Sequence, residues 1–284
     1  MSDPRTATAS DARSPLAGCV ILLVALGVMV LLVAFSTWML FRQFDEIARF
    51  TSEEARPTPV VALQGRETQV SELGAKLEAF RADLQDEKKL ARLELGVEDI
   101  NLAIAAYEPL AELRGTWHLE SIAGGVMRIR ISFPLNGKPR LARDAEPGWI
   151  ASDKRYLNGV MVARPALLEN ELVLRIDNIE VEGAKVPEGF LGQMSPYRCT
   201  ERYKTDKVLG PAMGALTRVE LNDGRLVLSH VPGEKVDGTY TDEEVDKGGG
   251  RLFKALGVAA CIFLLFAGLM IFLGLRAKST GNHA

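Results

Sequence analysis

The chain has 284 residues, with 34 basic side chains against 37 acidic ones, a net charge of -3 and three cysteines. That balance excludes the broad basic surface nucleic acid requires, and Cys199 as the sole thiol between residues 42 and 254 excludes an internal disulfide framework. The 47% hydrophobic content is unevenly spread, which is the mark of membrane spans.

From Leu16 to Phe41 no charge occurs over 26 positions, and from Ala255 to Leu275 none occurs over 21. A hydrocarbon core of roughly 30 Å needs about 20 helical residues, so the sequence predicts transmembrane helices over 16–41 and 252–275. LAGC at 16–19 has the form of a lipoprotein box, but Cys19 precedes the apolar stretch instead of following it. Ala34-Phe35-Ser36 is a poor cleavage site inside a run that Trp38 to Phe41 prolong, so the first helix is read as a retained anchor. The short flanks carry Arg5, Arg13, Arg276 and Lys278, and the stretch between the spans is too long for the charge rule to count. The prediction is therefore a protein of the cytoplasmic (inner) membrane, multi-pass, with cytoplasmic tails over 1–15 (disordered) and 276–284 and an extracytoplasmic middle domain.

After the first span, RPTPVV breaks helix at Pro57 and Pro59, which predicts a linker over 42–69. An amphipathic helix follows over 70–88, its apolar positions Val70, Leu73, Leu77, Phe80 and Leu84 spaced 3, 4, 3, 4. So short a seam packs on its own domain or pairs two chains. Leu93 and Leu95 alternate with charge as a strand does, and Gly96 ends it. In LGVEDINLAI (95–104) a helix then starts, with Ile100, Ala103, Ile104 and Tyr107 on one face. Glu98, Asp99 and Asn101 fall in its first turn, where acids complement the helix dipole. A catalytic carboxylate pair would need a third polar group, and the nearest histidine, His118, belongs to a different element.

Three hairpins complete an α+β domain over 89–231. TWHLESIA and VMRIRISF flank Gly124-Gly125, RYLNGVMVAR and ELVLRIDNIEVE flank the 165–170 turn, and TRVEL and RLVLS flank Asn222-Asp223-Gly224. Short helices are predicted over 187–194 and 206–216, and an acidic, glycine-rich linker over 232–251. The fold class is an antiparallel, hairpin-rich curved sheet with packed helices, flanked by the two transmembrane helices. In the Tyr156 to Ala163 strand, Val160 and Val162 alternate with Met161 and Ala163, so both faces are apolar, as in a sheet covered on both sides. A candidate apolar groove follows, lined by Ile100, Ile104, Tyr107, Val160, Val162, Leu174 and Ile176.

Catalytic signatures are sparse. His118 and His230 sit in strand contexts and His283 in the tail, no His or Cys pair has ligand spacing, and neither a phosphate loop nor a G-x-S-x-G elbow occurs. The expectation is a non-enzyme without cofactor or metal. Arg128, Arg130, Lys138, Arg140 and Arg143 form a local basic cluster that reads as a solvated strand face, and no nucleic acid is expected as partner. The expected partner is membrane lipid, with the chain itself or another membrane protein as the alternative, in which case the chain is a structural or adaptor subunit.

Two resemblances bear on this. LRGTWHLESIAGG resembles the Gly-x-Trp opening of lipocalin-like barrels. Over residues 90–230, the order of a strand, VEDINLAI, a hairpin, YLNGVMVARP, ELVLRIDNIEVEGAKVP and TRVELNDGRLVLS resembles the YpmS-like extracytoplasmic proteins, which are similar in turn to tubular lipid-binding domains. That resemblance implies a helix against a curved antiparallel sheet, with an apolar crevice able to hold acyl chains. The helix before Leu90 and the second anchor are additions to that pattern.

Overall fold

The computed structural model describes residues 15–143, 146–168, 171–207 and 209–235. The predicted span over 252–275, the C-terminal tail, nearly all of the N-terminal tail and most of the acidic linker lie outside the described residues. The chain divides into two units, residues 1–44 with 254–284, and a body from Asp45 to Phe253.

Helix α1 runs Pro15–Arg49, and its part Ala25–Arg49 is long and apolar enough to cross a bilayer. Its apolar side chains stand exposed around the helix, Leu31 at 70% and Leu26, Met29, Val33 and Phe35 with it. A helix that is apolar on all sides needs an apolar surrounding.

The body holds two antiparallel sheets. Strands β2 (Trp117–Ala123), β3 (Val126–Leu141), β4 (Ile150–Leu168), β5 (Glu171–Val181) and β6 (Ala184–Lys185) lie in sequence order and curl into a half-barrel. Register shifts between Leu119 and Ser121, Asn136 and Pro139, and Val162 and Ala163 supply the curl, because each irregularity bends its strand and increases the local twist. Strand β1 (Ala91–Leu95) pairs with β8 (Arg225–His230), which pairs with β7 (Arg218–Asn222). The β7–β8 turn has Asp223 and Gly224 both at positive φ, 46° and 73°, the geometry that Asn-Asp-Gly predicts for a two-residue hairpin. Gly159, in the middle of β4, has a different purpose: a Cβ there would stand 2.5 Å from the carbonyl oxygen of Glu180.

Alternation decides what is buried. Leu119, Ile129, Leu157, Met161 and Ile179 point into one face of the large sheet and are fully enclosed, each contributing about 1.5–3 kcal/mol by burial. Phe50 and Ile104 close the same cluster from outside the sheet. Helix α3 (Val97–Ala106) is tied to the sheet edge by Asn101, whose Nδ2 donates to the Leu119 carbonyl at 2.8 Å while its Oδ1 accepts from the Leu119 N–H at 2.9 Å. A side-chain amide thus fills the place of a neighbouring strand where the β2–β3 register shifts. Asp99 accepts from the Gly96 N–H at 3.0 Å and pairs with Lys76, and Glu98 pairs with Arg66. All three polar residues of the helix start are occupied in holding the fold.

Helix α2 (Glu67–Leu84) carries the predicted seam, and the seam is used inside the chain. Leu73, Phe80 and Leu84 are buried, the last two in a second cluster with Ala91, Leu93, Leu167 and Leu216. The short helices α4 (Glu188–Met194) and α5 (Leu209–Gly214) fall within the two stretches predicted to be helical.

Candidate functional site

The predicted linker over 42–69 requires correction. Residues 42–49 continue α1, 67–69 open α2, and much of what lies between belongs to the body. Phe50 is 3% exposed in the main core and meets Phe190 edge-on, with ring centroids 4.9 Å apart. Ser52 and Tyr156 exchange backbone hydrogen bonds of 2.9 and 2.7 Å, so the segment extends the β4 edge for one residue pair. The Arg155 guanidinium donates to the carbonyls of Ala48 (3.0 Å) and Thr51 (2.5 Å) and to the Thr51 hydroxyl (2.8 Å). Asn158 Nδ2 donates to Ser52 Oγ at 2.7 Å and to the Glu54 carbonyl at 2.9 Å, and its Oδ1 accepts from the Arg56 N–H and the Ser132 hydroxyl. Lys138 pairs with Asp45 at 2.5 Å, and the Thr58 N–H donates to the Gly115 carbonyl. The prolines do end helix as predicted, but an extended segment can bind a sheet as readily as leave it. Arg155 and Asn158, polar residues on either side of the buried Leu157, are the signal for this junction that the sequence does contain.

The seven predicted groove residues do not converge. Ile104, Leu174 and Ile176 are buried in the main core, and Ile100 packs against it half-buried. Tyr107 caps the end of α3, and its hydroxyl faces α2, 3.3 Å from where a Cβ on Gly74 would lie. Burial raises its pKa, with Glu78 adding to the effect. Val160 and Val162 stand on the opposite face of β4 from Met161. Val160 lies across from Arg130 and Glu180, and Val162 from Arg128 and Asn178. Arg128 reaches over β4 to Glu180 through two bonds of 2.9 and 2.7 Å, so this face has a charged cover. The side-chain period of two puts Val160 and Ile104 on opposite sides of one sheet, whatever their hydrophobicity.

Four of the five side chains of the local basic cluster are ion-paired: Arg128 with Glu180, Arg130 with Glu120, Lys138 with Asp45, and Arg140 with Glu146 and Asp153. Glu171, fully buried at the start of β5, lies between Arg198 and Lys204, which fix the 195–204 segment onto that strand. Cys199 in the same segment donates to the Leu172 carbonyl, and burial pushes its thiol up to about 12. A thiol held protonated is no nucleophile at neutral pH. His230 contacts the backbone carbonyls of Ala215 and Glu87. Among the described residues no three His, Cys, Asp or Glu side chains gather as metal ligands.

No family model, curated protein or solved structure matches the chain. Among the described residues, the junction from Asp45 to Thr58 gathers side-chain and backbone bonds from Arg155, Asn158, Tyr156, Lys138 and Gly115, and what it does chemically is to fix position.

Proposed function

We propose that this chain is a membrane-anchored, non-catalytic protein whose α+β body stands outside the cytoplasmic membrane and senses or handles lipid at its surface. One observation carries the reading: the uncharged run ends at Phe41, and from Asp45 onward the chain is already a structural part of the body. The sequence leaves only three residues, Arg42 to Phe44, between the uncharged run and the body. The resemblance to extracytoplasmic lipid-binding families supports lipid as the partner, and the occupied core argues that contact occurs at the body's rim instead of in a deep acyl crevice. The second reading is a structural or adaptor subunit assembled through α2 and the transmembrane helices, of which the α2 part has weaker support because Leu73, Phe80 and Leu84 are buried within the chain's own body.

The full chain is tested by extracting membranes at alkaline pH, then exchanging the detergent-purified protein against phospholipid vesicles for native mass spectrometry. Retention in the membrane pellet with phospholipid carried into the gas phase supports the proposal. Release into the supernatant contradicts anchoring, and a folded, anchored chain that carries no lipid leaves the adaptor reading ahead.

A further inference from the structure

The β3–β4 hairpin outruns the sheet it belongs to. Beyond Asn136 and Lys154 no other described strand pairs with the hairpin, and at its end Leu141, Trp149 and Ile150 are exposed by 81%, 91% and 71%. These are the largest exposures among the body's big apolar side chains that are described. Leu141 and Ile150 are register partners and share one face, and Trp149 stands immediately before β4, at the turn that joins the two strands. The far end of the hairpin thus gathers three exposed apolar side chains where no other described strand pairs with it.

The tip is also built to keep that shape. The Arg140 guanidinium donates two bonds of 2.7 Å to Glu146 and a third of 2.8 Å to Asp153, tying the turn to both strands. Glu146 further accepts from the Arg143 N–H at 2.8 Å, and the Ala142 N–H donates to the Trp149 carbonyl at 3.0 Å. Three ion-paired side chains thus hold an exposed tryptophan, a cost no fold incurs for stability alone.

Its direction is fixed by the order of contacts within the body. Tyr156 pairs with Ser52, Arg155 with Thr51 and Ala48, and Lys138 with Asp45. Moving along the hairpin toward its tip, each contact meets an earlier residue of the chain, back toward Phe41. The tip continues three residues past Lys138, about 10 Å of strand, on the side of the body where Asp45 lies. In the sequence, Asp45 comes four residues after Phe41, the last residue of the uncharged run.

We propose that the β3–β4 tip is a membrane contact, Trp149, Leu141 and Ile150 entering the headgroup and upper acyl region of the leaflet from which the anchor emerges. This rests on the anchored reading above. Tryptophan is the side chain best suited to that depth, its ring apolar and its N–H able to reach water or headgroup oxygens. The hairpin and the anchor then give the body two attachments and one orientation to the bilayer.

The test uses the full chain with Cys19, Cys199 and Cys261 changed to Ala and a single new cysteine by Ile150→Cys, labelled with an environment-sensitive NBD dye. It is reconstituted into phosphatidylcholine vesicles with a minority of phosphatidylglycerol, with and without lipids carrying a shallow doxyl quencher. Met39→Cys in the anchor and Glu87→Cys, exposed on the body, are labelled in parallel. The expected result is quenching at 150 roughly twofold or more above that at 87, with a blue-shifted dye, as for a group seated at the interface. Quenching at 39 but not at 150 overturns the membrane contact and leaves the anchor standing. A blue shift at 150 without quenching means the tip is covered by a second copy or another protein, which also overturns it. Absence of quenching at both 39 and 150 removes the anchored reading together with this one. Because all three dye positions are exposed, unchanged Trp117 fluorescence suffices to show that the body is folded.

Discussion

Phe50→Ala separates a body that begins at Asp45 from one that begins after a linker. Phe50 is 3% exposed, lies in the same cluster as Met161 and Ile129, and meets Phe190 edge-on. Deleting a buried phenyl ring costs about 3–5 kcal/mol, which includes the roughly 0.5–1.5 kcal/mol of the aromatic pair. A body of this size has a urea dependence near the top of the usual range, about 2.5 kcal/mol per molar, so the midpoint falls by about 1.2–2 M. The assay is urea unfolding of the full chain in a mild detergent, followed by tryptophan fluorescence. Trp117 is buried in that core and reports the transition, while Trp38 and Trp149 are exposed from the start. Phe50→Leu retains most of the burial and should lose less than half as much. A midpoint unchanged within about 0.3 M in Phe50→Ala would mean that the segment is a tether and that the junction described above adds nothing to the fold.

Asn101→Ala should cost about 2–4 kcal/mol, because it leaves both backbone groups of Leu119 buried without their partner, and hydrogen exchange at the Leu119 amide should accelerate selectively. Glu171→Ala leaves Arg198 and Lys204 facing an emptied buried site, and should cost near the lower end of about 3–5 kcal/mol because both cations keep water contact. Trypsin cleavage after Arg198 or Lys204 in native conditions is the readout. The Arg140 bonds, then the Arg143 N–H, hold the Glu146 carboxyl down at about 2 against an ordinary 4.5. A depressed folded pKa contributes stability that is present above pH 4.5 and is lost as pH falls toward 2, while resonances of the folded Trp149 indole should shift only near pH 2, where the folded carboxyl itself takes up its proton. Cys199 should resist iodoacetamide at pH 8 until urea unfolds the body, as peptide mapping will show.

Much of the body was legible because local chemistry and tertiary demand agree there. Asn222-Asp223-Gly224 supplies the two positive φ angles its hairpin requires, and Leu93 and Leu95 alternate as a strand edge must. The 3, 4, 3, 4 spacing of Val70 to Leu84 showed a buried helix face, though not what buries it, since one's own core and a second chain demand the same pattern. Two expectations differ from the structure, each for its own reason. Val160 and Val162 were grouped with Ile104 on hydrophobicity, when strand parity alone assigns them opposite faces. Residues 50–58 were read as a tether because prolines exclude helix, yet nothing in local sequence tells an extended segment bonded to a sheet from one bonded to water. Arg155 and Asn158, whose side chains bind that segment, lie over a hundred residues away. The exposed tip at Leu141 to Ile150 is not legible in the sequence, because an apolar residue in a strand is normally a core residue and only the ends of the neighbouring strands reveal that no core reaches it.

The central claim, an anchored body outside the cytoplasmic membrane, is tested most directly by labelling single cysteines with a membrane-impermeant maleimide in intact cells. With the three native cysteines changed to Ala, Glu87→Cys reports the body and Ser10→Cys the N-terminal tail. Labelling at 87 without permeabilisation, and at 10 only after it, is the predicted result. Labelling at 10 but not at 87 in intact cells would place the body inside and contradict the account, and equal labelling at both positions only after permeabilisation would show that the Leu16 to Phe41 run does not cross the membrane.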